Sequence, residues 1–165
     1  MLTLLLNRDF TMPADGWFHI AALGTFPHSS GVVQVVDKTA VDAMVNSFRE
    51  QEKAPNFPGL LVDFDHASHD PAQPPTAAGW ITNLQTRSDG LYAEIRWSDL
   101  GKAAVEGGRF RLASPVWNRN ECQSLGNDRI RPLRLARLAV TNDPNMPGMV
   151  PLSNRRKDEK PIKNY

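Results

Sequence analysis

The spacing of apolar and polar residues changes several times along this chain, and each change predicts an element. Residues 2–6 (LTLLL) read as a first buried strand, and 17–23 (WFHIAAL) as a second after the turn sequence Pro13-Ala-Asp-Gly16. The stretch 24–31, with His28, Ser29, Ser30 and Gly31, reads as a loop, since clustered Ser and Gly between apolar segments is ordinary turn chemistry. A short strand at 32–36 follows. From Asp37 the apolar period lengthens: Ala40, Val41, Met44, Val45 and Phe48 fall on one helical face, with Asp37 placed to cap it and an end expected near 49–53. Two prolines and a glycine in Ala54-Pro-Asn-Phe-Pro-Gly59 make that segment a connection. Leu61, Val62 and Phe64, interleaved with Asp63 and Asp65, then read as a central strand, and His66 stands where it gives way to a proline-rich loop.

In the second half, 77–84 and 91–97 read as strands joined through Arg87-Ser-Asp-Gly90. Asp-Gly tolerates the positive φ that hairpin turns require, so the two are expected to pair antiparallel. Ser98 caps a short helix over 99–106, which stops at Gly107-Gly108. A strand at 110–117, a polar turn at 118–128 and a final strand at 130–141 complete the pattern. The sum is a mainly β, α+β domain over 1–152: a bent antiparallel β-barrel of about seven strands with flanking helices. The tail 153–165 is charged, nearly devoid of apolar residues and expected to be disordered.

Composition narrows the function classes. The 165 residues are 41% hydrophobic and 22% charged, enough apolar content for one core. A formal charge of +1 gives no basic footprint for nucleic acid or an anionic membrane, so neither is an expected partner. The single cysteine, Cys122, cannot form an internal disulfide or a multi-cysteine zinc site, which fits a reducing, cytoplasmic compartment. The apolar start runs at once into Asn7, Arg8 and Asp9, so no signal peptide or membrane span is expected.

Three constellations could carry chemistry. The run Asp63, Asp65, His66, His69 and Asp70 has the ligand types of a metal hydrolase, but on a strand Asp63 and Asp65 face opposite to His66. Ser114, in Leu112-Ala-Ser-Pro-Val-Trp117, is a lone hydroxyl inside an apolar strand. It is either a small structural residue beside an edge or bulge marked by Pro115, or a nucleophile served by His66 as base. Pro115 has no N–H, so oxyanion donors would have to come from another loop, with the turn at 142–148 the candidate. Cys122, in the polar turn, reads as an incidental surface thiol. No cofactor or metal is expected.

A co-linear series of motifs carries a resemblance. Leu61-Val-Asp-Phe-Asp-His-Ala67, Ala77-Ala-Gly-Trp-Ile81, Arg87-Ser-Asp-Gly-Leu91, Trp97 with Gly101, Arg111-Leu-Ala-Ser-Pro-Val116, and Leu138-Ala-Val-Thr-Asn142 with Pro144 resemble, in that order, the Mu-like prophage I protein family of capsid-maturation protease and scaffold proteins. That family is in turn similar to the prohead and herpesvirus assembly proteases, so the resemblance implies a herpesvirus-protease-like barrel. It implies a serine endopeptidase acting on scaffold and major capsid proteins inside the assembling prohead, in the cytoplasm of a bacterial host. It further implies His66 as general base, Ser114 as nucleophile and, by likeness to the herpesvirus enzymes, a homodimer. In those relatives a third residue comes from the strand after the serine. Residues 133–140 here contain no His, Asp or Glu, which leaves Thr141, Asn142 or Asp143 for that role, or a Ser-His dyad. Family members also continue into a helical scaffolding region, of which this sequence contains nothing. A non-catalytic assembly module remains the competing reading from another class.

Overall fold

In the computed structural model the described residues are 12–28, 30–64, 76–142 and 150–152. The expected strand at 2–6 and the tail 153–165 lie outside them. Strand β1 (Trp17–Ala22) is followed by β2 (Gly24–Pro27), β3 (Val33–Val36), α1 (Lys38–Glu52) and β4 (Leu60–Phe64). The long strands β5 (Ala77–Arg87) and β6 (Gly90–Trp97) come next, then α2 (Asp99–Glu106) and β7 (Leu112–Val116). The chain ends through β8 (Cys122–Gly126), β9 (Arg129–Pro132), β10 (Arg137–Thr141) and β11 (Val150–Pro151).

Seven strands form one sheet in the order β1-β6-β5-β4-β10-β7-β11. It curls until β7 and β11 lie against β1, leaving a nearly closed barrel, the bent barrel that the pattern predicts. Alternate residues line the interior: Phe18, Ile20, Val62, Ile81, Leu138 and Val140 are buried there, and α1 adds Val41, Met44 and Phe48 from one stripe. The β5–β6 hairpin turns at Gly90, whose φ of +144° and contact with the Ala21 carbonyl leave no space for a Cβ. No helix among the described residues is long and apolar enough to cross a membrane.

Three sequence expectations are corrected. The stretch 24–31 is not all loop, because β2 pairs with β3 and only the turn between them is irregular, with His28 N–H donating to Val32 O at 2.7 Å. The polar turn 118–128 contains β8, which forms a hairpin with β9 through Asn127 and Asp128, both at positive φ. Exposed strands lack the alternation that a sequence pattern detects, so both were invisible to it.

The third correction concerns 130–141, which is two strands in two sheets. Pro132 ends β9, which stays with β8, β3 and β2 in a four-stranded sheet, while β10 enters the barrel. Each sheet also holds one parallel pair, β3 with β9 and β4 with β10, within an otherwise antiparallel fold.

Asp37 joins the small sheet to α1. Its Oδ1 accepts from the Ala40 N–H at 2.9 Å, the N-cap that the sequence predicts, and its Oδ2 accepts from Arg131 on β9 at 2.7 Å. The Arg131 hydrogen bonds hold the Asp37 carboxyl below its ordinary value of 3.8. Asp37→Ala is expected to cost about 1 kcal/mol at neutral pH through the lost cap. Because the folded-state pKa is depressed, that stabilisation is complete above the unfolded value and is lost as pH falls through the folded one. Urea titrations of both proteins from pH 7 down to pH 2 should therefore show their midpoints converging only in the acid range.

Candidate active site

Ser114 sits in the middle of β7. Its neighbours Ala113 and Pro115 face the barrel interior, so Ser114 faces outward, yet it is only 3% exposed. On one side β7 pairs with β10; on the other, β11 reaches only Leu112 and Ala113. Pro115 thus borders no described strand on its far side, consistent with the edge position that a proline requires.

Register brings a second group to this face. Ala139 of β10 is the Cα partner of both Ser114 on β7 and Asp63 on β4. The row Ser114–Ala139–Asp63 therefore crosses three strands with all side chains on the outer face. Asp63 is fully buried there, with Arg137 Nε of β10 at 4.0 Å from its Oδ2. Thr141, also fully buried, lies on the same face one diagonal step from Ser114, being the partner of Leu112. Asn142 serves a different purpose: its Oδ1 accepts from Arg111 N–H at 3.1 Å and its Nδ2 donates to Arg109 O, which pins the segment leading into β7.

His66 lies outside the described residues, as do Asp65, His69, Asp70 and Asp143. Phe64, the last described residue before it, pairs with Val140, whose partner on the other side is Ala113. The end of β4 that leads to His66 is therefore one row from Ser114. Among the described residues, no three His, Cys, Asp or Glu side chains gather as a metal site.

The remaining histidines and the thiol have other tasks. His19 is buried on β1, stacked on Tyr92 at 4.8 Å, with Nε2 hydrogen-bonded to Ala21 O at 3.1 Å. His28 and Ser30 do bond to each other, Nδ1 to Oγ at 2.9 Å, but as an exposed contact within one turn. Cys122 begins β8, half-buried, and burial pushes its thiol pKa up, away from the thiolate that a nucleophile needs.

Sequence reasoning assigns Asp63 only to the metal-like run and gives Arg137 no role. No linear signal marks them as neighbours of Ser114, since the parallel pairing of β4 with β10 creates that proximity.

Comparison with known proteins places the chain. The family model described as "Mu-like prophage I protein, N-terminal domain" matches residues 18–153. The "Mu-like prophage FluMu I protein" of Haemophilus influenzae is 28% identical over 162 residues, covering 88% of this chain and 42% of that protein. The chain thus spans about two fifths of the length of the curated relative that it matches. No solved structure matches it. With the motif series in the expected order and the family model covering most of its length, this chain belongs to the Mu-like prophage I protein family.

Proposed function

We propose that this chain is a serine endopeptidase domain that cleaves scaffold and major capsid proteins during phage head maturation, in the assembling prohead within the host cytoplasm. Ser114 is the nucleophile and His66 the general base. One observation carries the reading: β7 presents Ser114 on an outward face, one row from the end of the strand that leads to His66. A hydroxyl held on a strand, one row from the strand end that leads in sequence to a histidine, fits an activated serine, whose base must be delivered by the scaffold.

In this reading His66 takes the Oγ proton as the oxygen attacks the peptide carbonyl, then gives it to the departing amine, leaving an acyl ester on Ser114. Water activated by the same imidazole hydrolyses the ester and restores the hydroxyl. Pro115 offers no amide proton, so the oxyanion must draw its donors from another segment, for which the turn at 142–148 is the candidate.

The 3% exposure of Ser114 favours a second reading, a non-catalytic module that docks on capsid or scaffold subunits with Ser114 as a small structural residue. Intact mass after incubation with a fluorophosphonate separates the two. A single adduct that maps to Ser114, ignores chelators and disappears in His66→Ala supports the peptidase. Folded protein that takes up no adduct overturns it and leaves the docking module.

A further inference from the structure

We propose that the outer face of the barrel carries a docking groove for an extended segment of a partner polypeptide, one that presents an apolar side chain beside a carboxylate. The groove is independent of both readings of Ser114. Register builds its floor. Trp80 of β5 is the Cα partner of Leu61 on β4 and of Arg96 on β6, so the three form a row on the outer face, opposite the buried Val62, Ile81 and Ile95. The connection between α1 and β4 forms the wall. Gly59, at φ +98°, lies so close to β5 that a Cβ would overlap the Ile81 carbonyl oxygen, and Phe57 packs edge-on against Phe48 of α1 with ring centroids 5.6 Å apart. Pro58, between them, is thereby held over the strand. A bulge between Ile81 and Asn83 leaves Thr82 exposed, its hydroxyl donating to Glu94 O at 3.3 Å. The result is a cavity of about 390 Å³ lined by Pro58, Trp80, Thr82, Arg96, Trp97 and Ser98. A second cavity of about 330 Å³ shares Pro58 and Thr82 with it and continues past Asn56.

The chemistry of the lining selects the guest. Half-buried Trp80 and exposed Pro58 offer an apolar surface for one side chain. Beside them the exposed Arg96 guanidinium has no ion pair or hydrogen bond among the described residues. Nearby acids are engaged elsewhere: Glu94 Oε1 lies 3.5 Å from Thr82 Oγ1, and Glu52, at the far end, pairs with Arg49 at 3.0 Å. A carboxylate on the guest therefore meets a cation that no described acid neutralises. Asn56, exposed at φ +61°, has an amide with no partner among the described residues, and an amide can pair with the backbone of a bound chain. Nucleic acid or an anionic membrane would call for several cations, and the lining supplies one. Two cavities in series suit an extended chain, and walls fixed by Gly59 and Phe57 spare the cost of ordering them on binding.

Selection of a random dodecapeptide library on the immobilised full chain, followed by fluorescence anisotropy of the best peptide in solution, tests the groove. The expected consensus is an acidic residue next to an aliphatic, aromatic or proline residue. Trp80→Ala should weaken that peptide by roughly 30-fold, the loss of a central aromatic anchor. Arg96→Glu, at an exposed position, should unfold at the temperature of the unaltered protein and reverse the preference, weakening the acidic peptide and selecting lysine or arginine in place of its acid. Where Trp80→Ala lowers the unfolding temperature, Pro58→Ser makes the same measurement from the opposite wall. No enriched peptide, a consensus without an acidic position, or one indifferent to Arg96→Glu would overturn the proposal. So would a dimer, seen by sedimentation, that Arg96→Glu dissociates, since a second copy would then cover the groove. Because binding is read directly, its failure leaves the fluorophosphonate result on Ser114 standing, and the reverse holds too.

Discussion

On the peptidase reading proposed above, Ser114→Ala is expected to lose cleavage of capsid and scaffold proteins by at least about 10⁴-fold and to unfold within a few degrees of the unaltered protein. Both halves follow from where the residue sits. Ser114 is buried between Ala113 and Pro115 on β7 and faces Ala139 across the sheet, so a methyl in place of the hydroxymethyl fits without moving a neighbour. Exchanging one small side chain for another of nearly the same shape at such a position costs at most about 1 kcal/mol, which is a few degrees in a chain of this length. The reaction, by contrast, has no substitute for the Oγ: with no acyl acceptor the covalent route closes, and only binding and oxyanion stabilisation remain. Cleavage of a purified capsid–scaffold mixture, run beside thermal unfolding, checks both. Retained cleavage would remove Ser114 from the chemistry. Lost cleavage with a collapse in stability would show that the hydroxyl holds the strand together.

Gly101→Ala should have the largest effect on stability. In an exposed helix this exchange gains up to about 1 kcal/mol, since alanine is the better helix former. Here the sign reverses. Gly101 is buried in α2, and a Cβ on it would overlap the Ala78 carbonyl oxygen and lie 2.7 Å from its carbon. Backbone cannot step aside as a side chain can. The Ser98 N-cap also ties the helix to the same place, because Ser98 Oγ accepts from Gly101 N–H at 3.0 Å and donates to Ala77 O at 2.8 Å. Helix α2 must therefore lift from the start of β5 or distort its own cap, at an overpacking cost of about 2–3 kcal/mol. Thermal unfolding should fall by roughly 5–10 °C, against almost no change for Lys102→Ala on the exposed side of the same helix. A more stable Gly101→Ala would mean that α2 does not rest on Ala78. Ala77 is the β5 partner of Asp63, so lifting the helix also loosens the end of β4, and on the proposed peptidase reading cleavage should fall with stability.

Much of the fold was legible because its signals are local. The Asp37 and Ser98 caps, the 3.6-residue period of α1, and the Asp89-Gly90 turn each lie within a few residues of the element that they define, and each element stands where it was expected. What escaped has a physical reason. Strands β2 and β8 are largely exposed, so they carry no alternation of apolar and polar residues. The run 130–141 alternates large apolar and basic residues in its middle and so reads as one strand, and only Pro132 and the irregular stretch after it mark the point where the chain leaves one sheet for another. The family was legible too, because the order of several short motifs survives where no single motif is specific.

The sequence by itself determined the class of the domain, its hairpin and helices, its family, and the two residues proposed for proton and acyl transfer. It did so through patterns of spacing, which a reader of the linear chain can count. Only the tertiary structure decided that Asp63, Arg137, Thr141 and Ser114 share one face, since that depends on the register of β10 between a parallel and an antiparallel neighbour. A one-residue slip in either pairing would turn one of these side chains into the core. Register is fixed by the burial of Val62, Leu138, Val140 and Ala113 on the opposite face, so the core that closes the barrel is also what aligns the candidate site.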